Sequence, residues 1–148
     1  PSLSRGPGQV KPGSVGDTPV CSIDRLPTIA EATGAKLPNK TIDGLDLTPL
    51  LKQTRGLKRD TLYWHFPHYW WGTRIKPYSI IRQGDWKLIR RYESGKRELY
   101  NLKDDLPEKN DLAAAMGKKV AELDARLTKW LESVGAKMTK PNPDYKPK

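Results

Sequence analysis

The pattern of apolar and polar residues changes near residue 60. Beyond that point, short segments rich in β-branched and aromatic residues are separated by turn residues, which is typical of β-strands. The predicted strands are TLYWHF, which Pro67 closes, YSIIRQ and WKLIRRY on either side of Gly84-Asp85, and RELYNL after the turn ESGK. This order of strands and short turns predicts an antiparallel meander of three to four strands.

One long helix is predicted after the meander. It runs from about Lys118 to Val134, where apolar residues recur every three or four positions, and Gly135 ends it. Its apolar stripe contains Val120, Leu123, Leu127, Trp130, Leu131 and Val134. A helix with one apolar stripe must pack against another element, and the meander is the nearest one. The predicted fold class is therefore α+β, a small antiparallel sheet packed by a long C-terminal helix.

The N-terminal part of the chain has a different pattern. Residues 1–19 are rich in Pro, Gly and Ser and are predicted to be loop, and DRLPTIAEATG is predicted to be a helix that Asp24 caps and Gly34 ends. The basic segment KQTRGLKRD is the expected connector between two subdomains. The predicted organisation is an N-terminal portion at 1–55, an antiparallel subdomain with its helix at 56–136, and an extended basic tail at 137–148.

Composition narrows the class of protein. A chain of 148 residues can bury one core or two small ones, and its 13 Pro and 12 Gly favour many turns and loops. The chain lacks a stretch of about 18 apolar residues, so we expect no membrane span. The single cysteine excludes an internal disulfide framework and a multi-cysteine metal site.

The net charge of +10 makes polyanions plausible partners. Eight Lys or Arg residues lie between Arg74 and Arg97, against two acidic residues, and aromatic residues alternate with them. This mixture occurs on nucleic-acid-binding surfaces, but no nucleic-acid motif accompanies it here. Cations on a meander usually mark its solvent face. We therefore expect no nucleic-acid partner, and attraction of a sulfated or acidic substrate is the interpretation that we favour.

The segment LYWHFPHYWW contains both histidines and six of the twelve aromatic residues of the chain. Aromatic rings mixed with imidazoles are common in pockets for carbohydrates and aryl ligands. His65 and His68 are three residues apart, so on a straight strand they would point to opposite faces, and a metal pair is not supported. Two interpretations remain open for this segment: a ligand-binding surface, or an aromatic core strand followed by a loop.

The lone Cys21 precedes Arg25 by four residues, the spacing of a hydrolase cassette, Cys-x-Pro/Ala-x-Arg, whose cysteine provides the nucleophile. However, Ile23 occupies the position where that cassette has Pro or Ala. No Gly-rich phosphate loop, metal-ligand spacing or Ser/His/Asp arrangement is found elsewhere in the sequence. The sequence therefore predicts neither catalytic nor metal-ligating residues in this chain.

Several segments of the chain resemble type I sulfatases, the formylglycine-dependent enzymes. The resemblance is strongest to the bacterial arylsulfatase or N-acetylgalactosamine-6-sulfatase type. KPGSVGDTPVCSIDRLPTIAEATGAKLPNKTIDGLDLTPLL resembles the segment after their catalytic core. LYWHFPHY, IRQGDWKLIRRYESGKRELYNLKDD and NDLA resemble their C-terminal subdomain. The resemblance implies that residues 1–55 are a remnant of an alkaline-phosphatase-like α/β core.

The resemblance implies hydrolysis of sulfuric esters, with a formylglycine nucleophile and a calcium ion in the full-length protein. It also implies that the cassette and the metal ligands lie upstream of residue 1. Cys21 then matches a segment that follows the catalytic core in the family, and it is expected to be a small buried residue rather than the nucleophile. This chain alone is expected to be inactive, with the missing N-terminal sulfatase core as its partner and a sulfated glycan or aryl sulfate as substrate.

The resemblance also implies that the C-terminal subdomain shapes the substrate cleft. His65, His68 and Arg74 are the predicted substrate-side residues. Many relatives are exported, so a periplasmic or secreted location is expected. The alternative hypothesis is a stand-alone binding module for sulfated or acidic glycans.

Overall fold

The computed structural model describes residues 4–6, 8–70, 72–140 and 144. The chain divides into two compact units, Pro1–Asp60 and Thr61–Lys148. Of the predicted basic tail, residues 137–140 have neither helix nor strand. The rest of the tail, apart from residue 144, lies outside the described residues.

The first unit is built around a short helix. A 3₁₀ turn at Ser22–Asp24 leads directly into α1, which spans Arg25–Thr33, and a second short helix, α2, spans Thr48–Leu51. Helix α1 ends as the sequence predicts, because Gly34 adopts the left-handed conformation with φ of 70°.

Asp24 precedes α1, but its side chain does not cap the helix as predicted. Its carboxylate instead accepts hydrogen bonds from the backbone N–H groups of Cys21, at 2.8 Å, and Leu45, at 2.9 Å. Both NH₂ groups of Arg59 also donate to it. The 3₁₀ turn explains the difference, because it puts one extra turn of chain before α1 and leaves the carboxylate to bind the backbone of that turn.

The second unit contains a four-stranded antiparallel sheet in the order β1-β2-β3-β4. The strands are β1 at Thr61–Phe66, β2 at Tyr78–Gln83, β3 at Trp86–Arg91 and β4 at Arg97–Asn101. This arrangement confirms the predicted meander, and Gly84 makes the predicted tight turn with φ of 55°.

Helix α3, at Gly117–Ser133, packs on one face of this sheet and confirms the α+β fold. The core between them consists of Ile81, Leu88 and Leu99 from the sheet and Leu123, Leu127 and Leu131 from the helix. Tyr63 of β1 and Trp130 of α3 extend it, with their rings stacked 4.7 Å apart.

One residue of the predicted apolar stripe does not join the core. Val134 is 54% exposed because α3 ends at Ser133, so the helical periodicity no longer turns its side chain towards the sheet. The part of the chain that the structure describes has no helix long and apolar enough to cross a membrane.

Candidate functional site

His65 lies near the end of β1, and both of its ring nitrogens make polar contacts within the second unit. Its Nδ1 is 2.7 Å from Oγ of Ser79, which in turn is 2.6 Å from the hydroxyl of Tyr92. Its Nε2 is 2.9 Å from the backbone carbonyl of Lys137. Because a carbonyl only accepts, Nε2 must carry a proton, and in the neutral ring Nδ1 then accepts from Ser79. These contacts attach the segment after α3 to the sheet.

His68 follows β1 and is exposed. Its ring makes an edge-to-face contact with Phe66, at 5.5 Å between centroids, and Phe66 in turn stacks on Tyr78 of β2. The imidazole of His68 is thus placed by aromatic packing and is accessible from solvent.

Arg74 lies in a tight hairpin between β1 and β2. The hairpin is closed by an isolated bridge in which Trp70 N–H donates to the Ile75 carbonyl at 2.9 Å. Arg74 adopts φ of 54°, a left-handed conformation that is uncommon for a residue other than Gly. Its side chain lines an open cavity beside the turn between β3 and β4.

The three predicted substrate-side residues contact different neighbours. His65 contacts Ser79, Tyr92 and Lys137, whereas His68 contacts Phe66. Arg74 lines the cavity with a different set of residues. His65 therefore has the contacts of a structural residue, and a substrate-side role for it stays a prediction.

Most cations of the meander are neutralised within the second unit. Six of the eight Lys and Arg residues between Arg74 and Arg97 form ion pairs with carboxylates, and Arg82 donates to the carbonyl of Gly84. The pairs are Lys76–Glu93, Lys87–Glu108, Arg90–Asp124, Arg91–Glu98, Lys96 with Glu98 and Asp111, and Arg97–Asp124. Most of the positive charge of the meander is therefore compensated by nearby carboxylates.

A protein-family model matches most of the chain. The family model described as "N-sulphoglucosamine sulphohydrolase, C-terminal" matches residues 1–137. The chain belongs to this family. The match covers both units and confirms the resemblance to the C-terminal part of sulfatases.

Individual relatives agree with the family match. The chain is 40% identical to a sulfatase of Formosa agariphila over 125 residues, which are 77% of this chain and 22% of that protein. It is 38% identical to arylsulfatase A of Homo sapiens over 87 residues, 59% of this chain and 16% of that protein. The chain thus spans less than a quarter of the length of these sulfatases.

A solved structure shows the same fold in a ligand-bound protein. It is the structure of a protein in complex with its substrate D-glucosamine-2-N,6-O-disulfate, which is 30% identical to this chain with a TM-score of 0.61. The match covers 74% of this chain and 23% of that protein.

Calcium and formylglycine, which sulfatase membership implies for full-length enzymes, do not fit the described part of this chain. Within residues 4–6, 8–70, 72–140 and 144, no three His, Cys, Asp or Glu side chains are grouped so that they could hold a metal ion. Cys21 is half-buried rather than buried, precedes a 3₁₀ turn, and lacks the cassette's Pro or Ala at Ile23. No calcium or formylglycine site is assigned to these residues.

Two arrangements could not be found by spacing alone. Arg59 reaches Asp24 across 35 residues of chain, and Ser79 reaches His65 across 14. The only signals in the sequence were an Arg in a basic connector and a Ser within an apolar strand, and neither residue type is unusual there.

Proposed function

We propose that this chain is the C-terminal portion of a sulfuric ester hydrolase and that turnover needs an upstream sulfatase core. The observation that carries the proposal is the 40% identity to a sulfatase across 77% of this chain but only 22% of the relative. In the family, the nucleophile comes from a Cys-x-Pro/Ala-x-Arg cassette and a cation stabilises the negative charge of the leaving group. Those groups would lie in the upstream core.

The second unit would contribute to the substrate cleft. His68 is exposed and Arg74 lines an open cavity, so both are accessible to a ligand. His65 would hold the adjacent backbone in place through Ser79 and Lys137. The substrate would be a sulfated glycan or an aryl sulfate, in line with the sulfated glucosamine bound by the solved relative.

The first unit has an apolar surface that an upstream core would cover. Ile23, Leu26 and Ile29, on the 3₁₀ turn and α1, are all exposed, with Ile29 at 60%. Large apolar side chains grouped on one surface mark protein contacts or cause self-association. We therefore expect the isolated chain to self-associate, and the double variant Leu26→Ser/Ile29→Ser to sediment as a smaller species in analytical ultracentrifugation.

The enzymatic part of the proposal is tested with an aryl sulfate substrate. The chain alone, with calcium, should release no product from p-nitrophenyl sulfate. The same chain fused to its upstream coding region should hydrolyse it. Calcium-dependent hydrolysis by the chain alone that disappears in Cys21→Ala would instead make Cys21 the nucleophile and overturn the proposal.

The second candidate is a stand-alone module that binds sulfated or acidic glycans. The exposed aromatic residues Tyr69 and Trp70 favour it, since Trp70 bridges to Ile75, the residue after Arg74. A stand-alone module should remain monomeric at high concentration, because none of its surface would be an interface with a missing core. Export to the periplasm or the outside of the cell is proposed for either candidate, and a signal sequence encoded upstream would support it.

A further inference from the structure

The second unit contains an open cavity of about 400 Å³ that the comparisons do not assign to any ligand. It is lined by residues 74–77, at the end of the hairpin, and by Arg91, Glu93 and Ser94 at the turn between β3 and β4. The hydrogen bond from Tyr92 N–H to the Pro77 carbonyl, at 3.1 Å, ties these two segments together. The volume lies in the range of about 300–1,000 Å³ that is common for small-molecule sites.

The cavity is lined by three cations and one carboxylate. Lys76 pairs with Glu93 at 2.7 Å, and this contact raises the pKa of Lys76. Both side chains of the pair are largely exposed, at 64% and 46%, so a competing anion can replace the carboxylate at low cost. Arg91 pairs with Glu98, so Arg74 is the lining cation whose charge is not compensated among the described residues, and this charge favours an anionic ligand.

Arg91 is held in position before any ligand arrives. Its guanidinium donates to Glu98 at 2.9 and 3.1 Å and lies over the ring of Tyr78, 5.8 Å from the centroid. A cation that is already fixed loses little conformational entropy when it binds an anion.

Arg74 is the cavity cation without a partner among the described residues. Its left-handed φ of 54° is a conformation that Gly adopts freely and that costs a residue with a Cβ on the order of 1 kcal/mol. The chain nevertheless places an arginine here, with its guanidinium free to form a bidentate pair. The exposed aromatic Trp70, which bridges to Ile75 next to Arg74, adds a ring face of the type that sugars stack on.

We propose that this cavity binds a sulfate ester group on a glycan chain, with Arg74 as the main contact and Lys76 and Arg91 as supporting cations. The choice of a sulfate ester rests on the proposed function, whereas the anionic character of the ligand rests on the cavity itself. Binding at this cavity requires only the residues of this chain.

The test is isothermal titration calorimetry of the full 148-residue chain with two hexasaccharides at physiological salt. One is chondroitin 6-sulfate, and the other is unsulfated chondroitin, which carries carboxylates alone. The sulfated probe should bind at least about tenfold more tightly, the factor expected for one charge-assisted hydrogen-bonded pair. Equal affinity for the two probes, or no binding of either, overturns the proposal.

Two variants locate the binding at the cavity. Arg74→Gly removes the guanidinium and suits the left-handed backbone, and it should weaken binding of the sulfated probe about tenfold without unfolding the chain. Glu93→Gln removes the carboxylate that competes for Lys76, and it should tighten binding about two- to threefold. An unchanged dissociation constant in Arg74→Gly contradicts the proposal.

The matched control is Arg126→Ala, which removes the same charge from the exposed surface of α3. It should change the dissociation constant by less than about twofold. If Arg126→Ala weakens binding as much as Arg74→Gly does, the attraction is that of the net charge and the cavity site is wrong. Loss of binding leaves the sulfatase proposal intact if a catalytic cassette is found upstream, so the two proposals fail separately.

Discussion

The carboxylate of Asp24 accepts hydrogen bonds from both NH₂ groups of Arg59, at 2.7 and 2.6 Å, in a bidentate ion pair. Asp24 is fully buried, and Arg59 lies near the end of the same unit. Together with the N–H groups of Cys21 and Leu45, the pair joins three separate segments of the first unit. A buried carboxylate is tolerated only when such partners replace its hydration.

Removal of Arg59 should destabilise the first unit strongly. In Arg59→Ala the buried carboxylate loses its charged partner, so we expect the free energy of local opening to fall by about 3 kcal/mol. Amide hydrogen exchange at Leu45, whose N–H donates to Asp24, measures this change directly. Arg55→Ala is the control, because Arg55 is exposed. Equal exchange rates in the two variants would show that the pair contributes nothing.

The same pair makes the first unit sensitive to acid. Burial raises the pKa of Asp24, but the hydrogen bonds from Arg59, Leu45 and Cys21 outweigh it and lower the pKa from 3.8 to about 2. A lowered pKa stabilises the fold above pH 4, and this contribution of about 2 kcal/mol is lost as the pH falls from 4 to 2. Hydrogen exchange at Leu45 should therefore show decreasing protection over this range, after correction for the intrinsic rate. The decrease should be smaller in Arg59→Ala.

Gly44 is required by a close approach of two backbone segments. A Cβ at this position would collide with the backbone carbonyl of Ile23 in the 3₁₀ turn. Gly44→Ala should displace the loop that carries Leu45 and cost about 2 kcal/mol. Gly56→Ala is the matched control, since its Cβ would meet open space and φ is not positive there. Thermal unfolding followed by the NMR signals of α1 should separate the two variants.

The contact between Ser79 and His65 is expected to stabilise the second unit. Ser79→Ala removes the partner that His65 Nδ1 and the Tyr92 hydroxyl share and leaves only their longer mutual contact of 3.3 Å, so the expected loss is about 1 kcal/mol. Urea unfolding followed by tryptophan fluorescence measures it, because all tryptophans of the chain lie in this unit. Ser133→Ala, which removes an exposed hydroxyl that binds only its own helix, should change the midpoint very little.

The sheet and its helix could be predicted because their signals are local. Turn residues such as Gly84 and the spacing of Leu123, Leu127 and Leu131 depend only on neighbouring positions, and the structure confirms them. Val134 fits the same spacing and is exposed, because periodicity does not show where a helix ends.

The pairing of the charged side chains could not be predicted in the same way. The acidic partners of the meander's cations lie up to 34 residues away, as in the pair of Arg90 and Asp124. The sequence therefore showed a basic segment, whereas the structure shows mostly neutralised ion pairs and an unpartnered Arg74 among the described residues. The Asp24–Arg59 pair was missed for the same reason, and Asp24 was predicted to be a helix cap.

The measurement that tests the central claim most directly is the coding sequence upstream of residue 1. We predict an open reading frame that continues upstream and encodes a Cys-x-Pro/Ala-x-Arg cassette, and the protein expressed from it should hydrolyse p-nitrophenyl sulfate. A start codon directly before residue 1, with no such cassette in frame, would contradict the claim that this chain is the C-terminal portion of a sulfatase.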